Sequence, residues 1–284
     1  MAEHHDQADI AAALNQIHAL PSLPSLVFEI LDSLEGGGEN ISTIVDKIQR
    51  DNAVVARVLR VANSSFFGMS RKVGSIPQAV TILGLNNLRG LVMAASLVGA
   101  FSHSKGGLNL NIFWQHSFGA AVSAKSLASR VGQNPEIAFT AGLLHDIGKL
   151  IMEIYFPGIT LEIPAGKEDD IPEQLLAEQA AYGFNHATLG SELTKRWNIP
   201  LEISNAVAMH HELGSTTTPA SMAAVVSVAN LISHVINDES PDGEQVKQIA
   251  AVGIPMLGIT EFALEEVIAD SKHHHSCIHM LLGN

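Results

Sequence analysis

Cys277 is the only cysteine among 284 residues, so no disulfide can form within the chain and a reducing compartment is the expected setting. Aromatic residues are scarce at 5%, which leaves Ala, Leu, Ile and Val to build the core. Positive charge is also short, with 16 Lys and Arg against 29 Asp and Glu and a formal charge of −13. Nucleic-acid binders draw most of their affinity from phosphate contacts on a clustered basic face. The nearest approach here is Arg57, Arg60, Arg71, Lys72 and Arg89, dispersed among Asp and Asn. A solvated helical surface accounts for them, and no nucleic-acid partner is expected. The longest apolar runs, LVMAASLVGAF (91–101) and MAAVVSVANLISHVI (222–236), stop short of the roughly 20 residues a membrane span needs. The segment MAEHHDQADI lacks the positive charge and apolar stretch of a signal peptide. A cytoplasmic protein with no membrane partner is expected. A glycine-rich phosphate loop, a nucleophile elbow and a kinase signature are all missing.

What is present is helical spacing, almost from end to end. Leu23, Leu26, Val27, Ile30, Leu31 and Leu34 recur at three- and four-residue intervals, and Gly36-Gly37-Gly38 stops that pattern. Ile41, Ile44, Val45 and Ile48 mark a second helix, and Val54, Val55, Val58, Leu59 and Ala62 a third. Residues 63–75 read as a loop, Pro77 opens a short helix to about Leu83, and Gly84 breaks it before a longer apolar helix. HSKGGLN (103–109) is the best candidate for an internal boundary. The spacing then predicts helices over 111–131, 135–155, 172–181, 186–197, 201–211 and 219–236, looser structure over 238–258, and a last helix over 260–282 capped by Thr260. Asn134-Pro135 and Thr218-Pro219 each place a capping side chain before a first-turn proline. The fold class is all-α. LGLNNLRGL (83–91) has the short turn of a helix-turn-helix but lacks the basic and amide side chains of a recognition helix.

The chemistry lies in the histidines, fourteen in all. LLHDIGK (143–149) sets His145 and Asp146 among Leu143, Leu144, Ile147 and Leu150, and Lys149 follows one turn later. A carboxylate among apolar residues needs a partner, because an unpaired charge is costly away from water. Either the pair satisfies itself or a metal ion joins it. His116, His186 and the doublet His210-His211 also sit beside apolar helical residues. Helical folds build metal sites from such inward-pointing side chains, and mixed N/O sets suit Zn, Fe, Mn or Ni. A lone histidine of this kind is more often a satisfied core residue, but the two doublets are harder to assign to packing. In the tail KHHHSCIHM (272–280), His273 with Cys277 and His275 with His279 have chelating spacing, although a polar surface face is the better account of them, since nothing else there supports a site.

The order His116, His145-Asp146, Lys149, His186, His210-His211 resembles the HD superfamily of metal-dependent phosphohydrolases, including its HD-GYP branch. LPSLPSLVFEIL (20–31) is followed by Asp51, Arg57-Val58-Leu59, Ala62-Asn63-Ser64, Phe67-Gly68 and the stretch 76–85. These resemble the HDOD family, the HD-related output domain of bacterial signalling proteins. The resemblance covers about residues 18–237. It implies a helical N-terminal subdomain (1–105) packed on an HD-like core (106–237), with a helical extension (238–284). It also implies a metal set of His116, His145, Asp146, His186, His210 and His211 holding one or two divalent transition ions. Asn230 stands where the pattern has a later aspartate. An amide oxygen still ligates but brings no charge, so it lowers the pKa of a bound water less. The segment LGSTTTPA after His211-Glu212 lacks a Gly-Tyr-Pro signature, which argues against cyclic-dinucleotide hydrolysis. The expected function is a bacterial regulatory module acting through a signalling protein partner. The alternative is a phosphohydrolase of a nucleotide or phosphodiester, with Asp146 and Lys149 as catalytic residues and a phosphorylated ligand in the histidine cleft.

Overall fold

Capping side chains set where several of the helices begin. The structure is a computed structural model describing residues 24–35, 41–63, 72–101, 108–155, 171–213, 218–236 and 243–275. The first bundle comprises α1 (Ser25–Glu35), α2 (Ile41–Gln49), α3 (Asn52–Ala62), α4 (Ile76–Leu83) and α5 (Leu85–Phe101). Asp51 starts α3 by accepting from the backbone N–H groups of Ala53 and Val54, each at 3.0 Å. Ser75 caps α4, and Gly84, with φ 78°, turns the chain directly into α5. Helix α5 packs on α1, α3 and α4.

The remainder comprises α6 (Leu110–Val131), α7 (Pro135–Leu144), α8 (Ile147–Tyr155), α9 (Ile171–Tyr182), α10 (His186–Arg196), α11 (Leu201–Met209), α12 (Met222–Ile236), α13 (Gly243–Leu257) and α14 (Glu261–His275). All regular structure among the described residues is helical. Helix α6 is the hub, with α7, α12 and α14 against it, while α10 packs on α8 and α11. The two groups meet where α5 packs on α7, and a Cβ added at Gly90 would sit 3.2 Å from the Phe139 ring. One buried apolar cluster runs through both. Most of the expected boundary at 103–109 and the residues Gly36 to Gly38, Phe67, Gly68 and Arg71 lie outside the described residues, as do the side chains of the tail from His273.

Three expectations need correction. The helix over 135–155 is two helices, broken at His145 and Asp146. The break lets α7 and α8 follow different neighbours. Gly142 brings α7 onto α6, where an added Cβ would sit 2.8 Å from the Ala120 carbonyl oxygen. Gly148 brings α8 onto the start of α10, with no space for a Cβ beside the His186 carbonyl. Next, α12 begins at Met222 rather than 219. Ala220 adopts φ 56° and donates its N–H to the Met256 carbonyl, so Ser221 becomes the cap and accepts from Ala224 N–H at 3.2 Å. Finally, Gly243–Leu257, read as looser, is a 15-residue helix. Its Gly253 lies close against Val228 of α12, so that packing on α12 outweighs Pro255 in its last turn. Thr260 caps α14 as the sequence predicts, accepting from Ala263 N–H at 3.2 Å.

Candidate metal centre

The helix break delivers Asp146 to the middle of five imidazoles. His116 comes from α6, His145 from the end of α7, His186 from the first position of α10, and His210 and His211 from the end of α11. All six sequence-predicted side chains of that set therefore converge, although they span nearly a hundred positions. Asp146 is shared between two groups. Its Oδ1 lies 3.3 Å from His186 Nε2 and 3.4 Å from His210 Nε2. Its Oδ2 lies 3.4 Å from His145 Nε2, 3.5 Å from His116 Nε2 and 2.9 Å from Lys149 Nζ. His211 joins the first group through Nε2, 2.8 Å from His186 Nε2.

The outer ring nitrogens of four of the five imidazoles are committed elsewhere, while His211 Nδ1 is buried without a hydrogen bond. His145 Nδ1 donates to the Gly142 carbonyl and His210 Nδ1 to the Val207 carbonyl, each at 2.7 Å. His116 Nδ1 donates to Ser233 Oγ at 3.0 Å, because the Ser233 hydroxyl spends its own proton on the Asn230 carbonyl at 2.7 Å. His186 Nδ1 lies 2.6 Å from Glu178 Oε2, which also accepts the His186 backbone N–H at 2.8 Å. Fixing Nδ1–H in this way directs the Nε2 lone pairs inward, the arrangement in which outer partners orient metal-binding histidines.

The inner face is short of partners. Asp146 Oδ1 and His210 Nε2 are buried without a hydrogen bond. His116 Nε2 and His145 Nε2 face each other at 3.1 Å. Two nitrogens each about 2.0–2.1 Å from one ion, at a right angle, stand about 3 Å apart. The buried orphan atoms and these separations fit a divalent transition metal held by His116, His145, Asp146, His186, His210 and His211.

Electrostatics favour the neutral form of His116, His210 and His211 beside an ionised acid. Burial alone would raise the Asp146 carboxyl, but the His145 ring and the Lys149 ammonium hold it well below the usual carboxylate range. Burial, then His234, pushes His116 well down, and burial lowers His210 to about 4. His211 is driven far down by burial and by His210. His186 is the exception. Burial and Lys149 push it down, yet the Asp146 and Glu178 carboxylates beside it carry it above its ordinary value.

Asn230 is buried on α12, with an Oδ1 that lacks a hydrogen-bond partner, one turn before Ser233. The sequence reading missed Glu178, Ser233 and His234, whose ring is 4.6 Å from that of His116. Glu178 carries no flanking motif, and only the fold brings α9 behind His186. Ser233 and His234 follow Asn230 by three and four residues, so helical periodicity alone would have placed them on its face.

The sequence profile of the HDOD domain matches residues 20–213. Among solved structures, an HDOD domain protein of unknown function from Geobacter sulfurreducens is 25% identical, with a TM-score of 0.77 over 98% of this chain and 99% of that one. A provisionally assigned phosphohydrolase from Shewanella amazonensis SB2B is 28% identical, with a TM-score of 0.74 over 96% and 98%. Among curated proteins, an uncharacterized protein of Treponema pallidum (strain Nichols) is 28% identical over 235 residues, 81% of this chain and 45% of that protein. Ribonuclease Y of Treponema denticola is 35% identical over 119 residues, 42% of this chain and 18% of the enzyme. The chain thus spans less than half the length of these curated relatives.

Proposed function

The chain belongs to the HDOD domain family, and from that premise we propose that it is a bacterial regulatory output module. Its histidine cleft holds one or two divalent transition-metal ions, and its output is contact with a signalling protein. The first bundle to residue 105, the helical core to 237 and the extension to 284 act as one unit in this reading. The observation that carries it is the convergence of five imidazoles on Asp146 beside a helix that offers Asn230 instead of a carboxylate. The donor set favours an ion, and the neutral amide leaves that ion less able to acidify water.

His116, His145 and Asp146 Oδ2 would hold one ion, and Asp146 Oδ1 with His186, His210 and His211 the other. A bound ion would supply Lewis acidity and attract a phosphoryl oxygen. The protein's own part is to fix the imidazoles, to exclude water from Asp146, and to keep Lys149 at the rim, where its ammonium would meet an anionic ligand.

The second reading, a phosphohydrolase, draws on this same placement of Lys149 and on the partial likeness to ribonuclease Y. A screen of phosphomonoesters, cyclic dinucleotides and short RNA, run on protein of known metal content, separates the two. The regulatory reading expects bound metal with negligible turnover. Robust hydrolysis by wild type that disappears in Asp146→Ala would overturn it.

A further inference from the structure

The two halves of the centre are built unequally. The His186 half offers four ligand atoms, and its leading histidine is backed by a second buried acid, Glu178. That acid is anchored by the His186 backbone N–H and by Gln174, whose Nε2 donates to Oε1 at 3.2 Å. The His116 half offers three ligand atoms, and neutral groups alone back its imidazoles, Ser233 Oγ behind His116 and the Gly142 carbonyl behind His145. The carboxylate oxygen serving that half, Asp146 Oδ2, is also the one that Lys149 occupies at 2.9 Å. An incoming cation would meet the ammonium on the oxygen it needs.

We propose that the centre loads in order. The first ion enters the His186–His210–His211 half, where Glu178 is a positioning residue that fixes the imidazole of His186 and adds a negative charge behind it. The second enters the His116–His145 half more weakly, in competition with Lys149 for Asp146 Oδ2. The second position is therefore where a change in free metal changes occupancy. This inference rests on the reading of the cleft as a metal centre.

Equilibrium dialysis of the full chain against graded Mn²⁺, with elemental analysis of bound ion, tests the order. Wild type is expected to show two events, the first at least about tenfold tighter. Glu178→Gln should weaken the first event about 10–100-fold, the scale seen for outer-shell partners, and leave the second nearly unchanged. His145→Ala should delete only the weaker event. Lys149→Met should tighten the second event about tenfold, the scale of one screened charge at contact distance. Should Glu178→Gln unfold by circular dichroism, Lys149→Met at the half-buried rim decides the matter. Two equal affinities in wild type, a Glu178→Gln effect confined to the weaker event, or an unchanged second event in Lys149→Met would each overturn the loading order alone. Wild type that binds no ion at all would overturn the metal-centre reading itself, and the order with it.

Discussion

Asn230 is expected to set how firmly the proposed centre holds a cation. Its Oδ1 is buried and has no hydrogen-bond partner, so a substitution there disturbs no existing bond to that oxygen. Asn230→Asp should tighten metal binding by about 1–3 kcal/mol if the new carboxylate reaches the ion, since an anionic oxygen replaces a neutral one. Competition with a chelator of known affinity reads that change directly, and an unchanged affinity would place the side chain out of reach. Gly148 makes the complementary case for backbone. With no space beside the His186 carbonyl, Gly148→Ala must push α8 away from α10. A loss of about 1–3 kcal/mol is expected in urea unfolding, the range of an overpacked site. At this scale the sequence showed the converging side chains well, because His145-Asp146 and His210-His211 are conspicuous against apolar flanks. It did not show Glu178, since nothing local marks a glutamate that will be buried behind a histidine eight residues later.

At the scale of elements, Asn63 shows what a family motif residue does here. Its side-chain amide donates to the Leu59 and Val73 carbonyls at 2.7 and 2.8 Å and accepts the Val73 N–H at 2.7 Å, tying the end of α3 to the approach of α4. Asn63→Leu should cost about 1–3 kcal/mol, because the paired Val73 groups lose their partner. A midpoint unchanged in urea would show that this clamp is dispensable. Most helices were legible from periodicity, and some of their starts from caps, as at Asn134 and Thr260. The break at His145 was not, because Leu143 through Ile151 keeps helical spacing on both sides of it. Only the separate destinations of α7 and α8, set by Gly142 and Gly148, require it. Helix α13 was missed for the opposite reason. Its stretch looked loose in sequence, and its packing on α12 is what outweighs the proline inside it.

For the whole molecule, the charge of −13 and the scattered arginines set the expected partners. Arg57 donates to the Ala95 carbonyl at 3.4 Å and packs against Gly99 rather than joining a basic face. No duplex DNA shift is expected at sub-micromolar protein near 150 mM salt, and a persistent shift would show that the 83–91 turn reads nucleic acid. Among the described residues no helix is long and apolar enough to cross a membrane. Four helices besides α8 bring ligands to one point, so a bound ion should stabilise the entire fold. At about 100 times its Kd the expected gain is about 2.7 kcal/mol, visible as a higher Tm that a chelator reverses. The most direct test is the metal content of wild type and Asp146→Ala after loading with Mn, Fe, Zn or Ni, each preparation checked for helical circular dichroism. Bound ion in wild type and none in an equally helical Asp146→Ala is the expected result. Wild type without metal under every loading condition would contradict it and leave the histidines as packing alone.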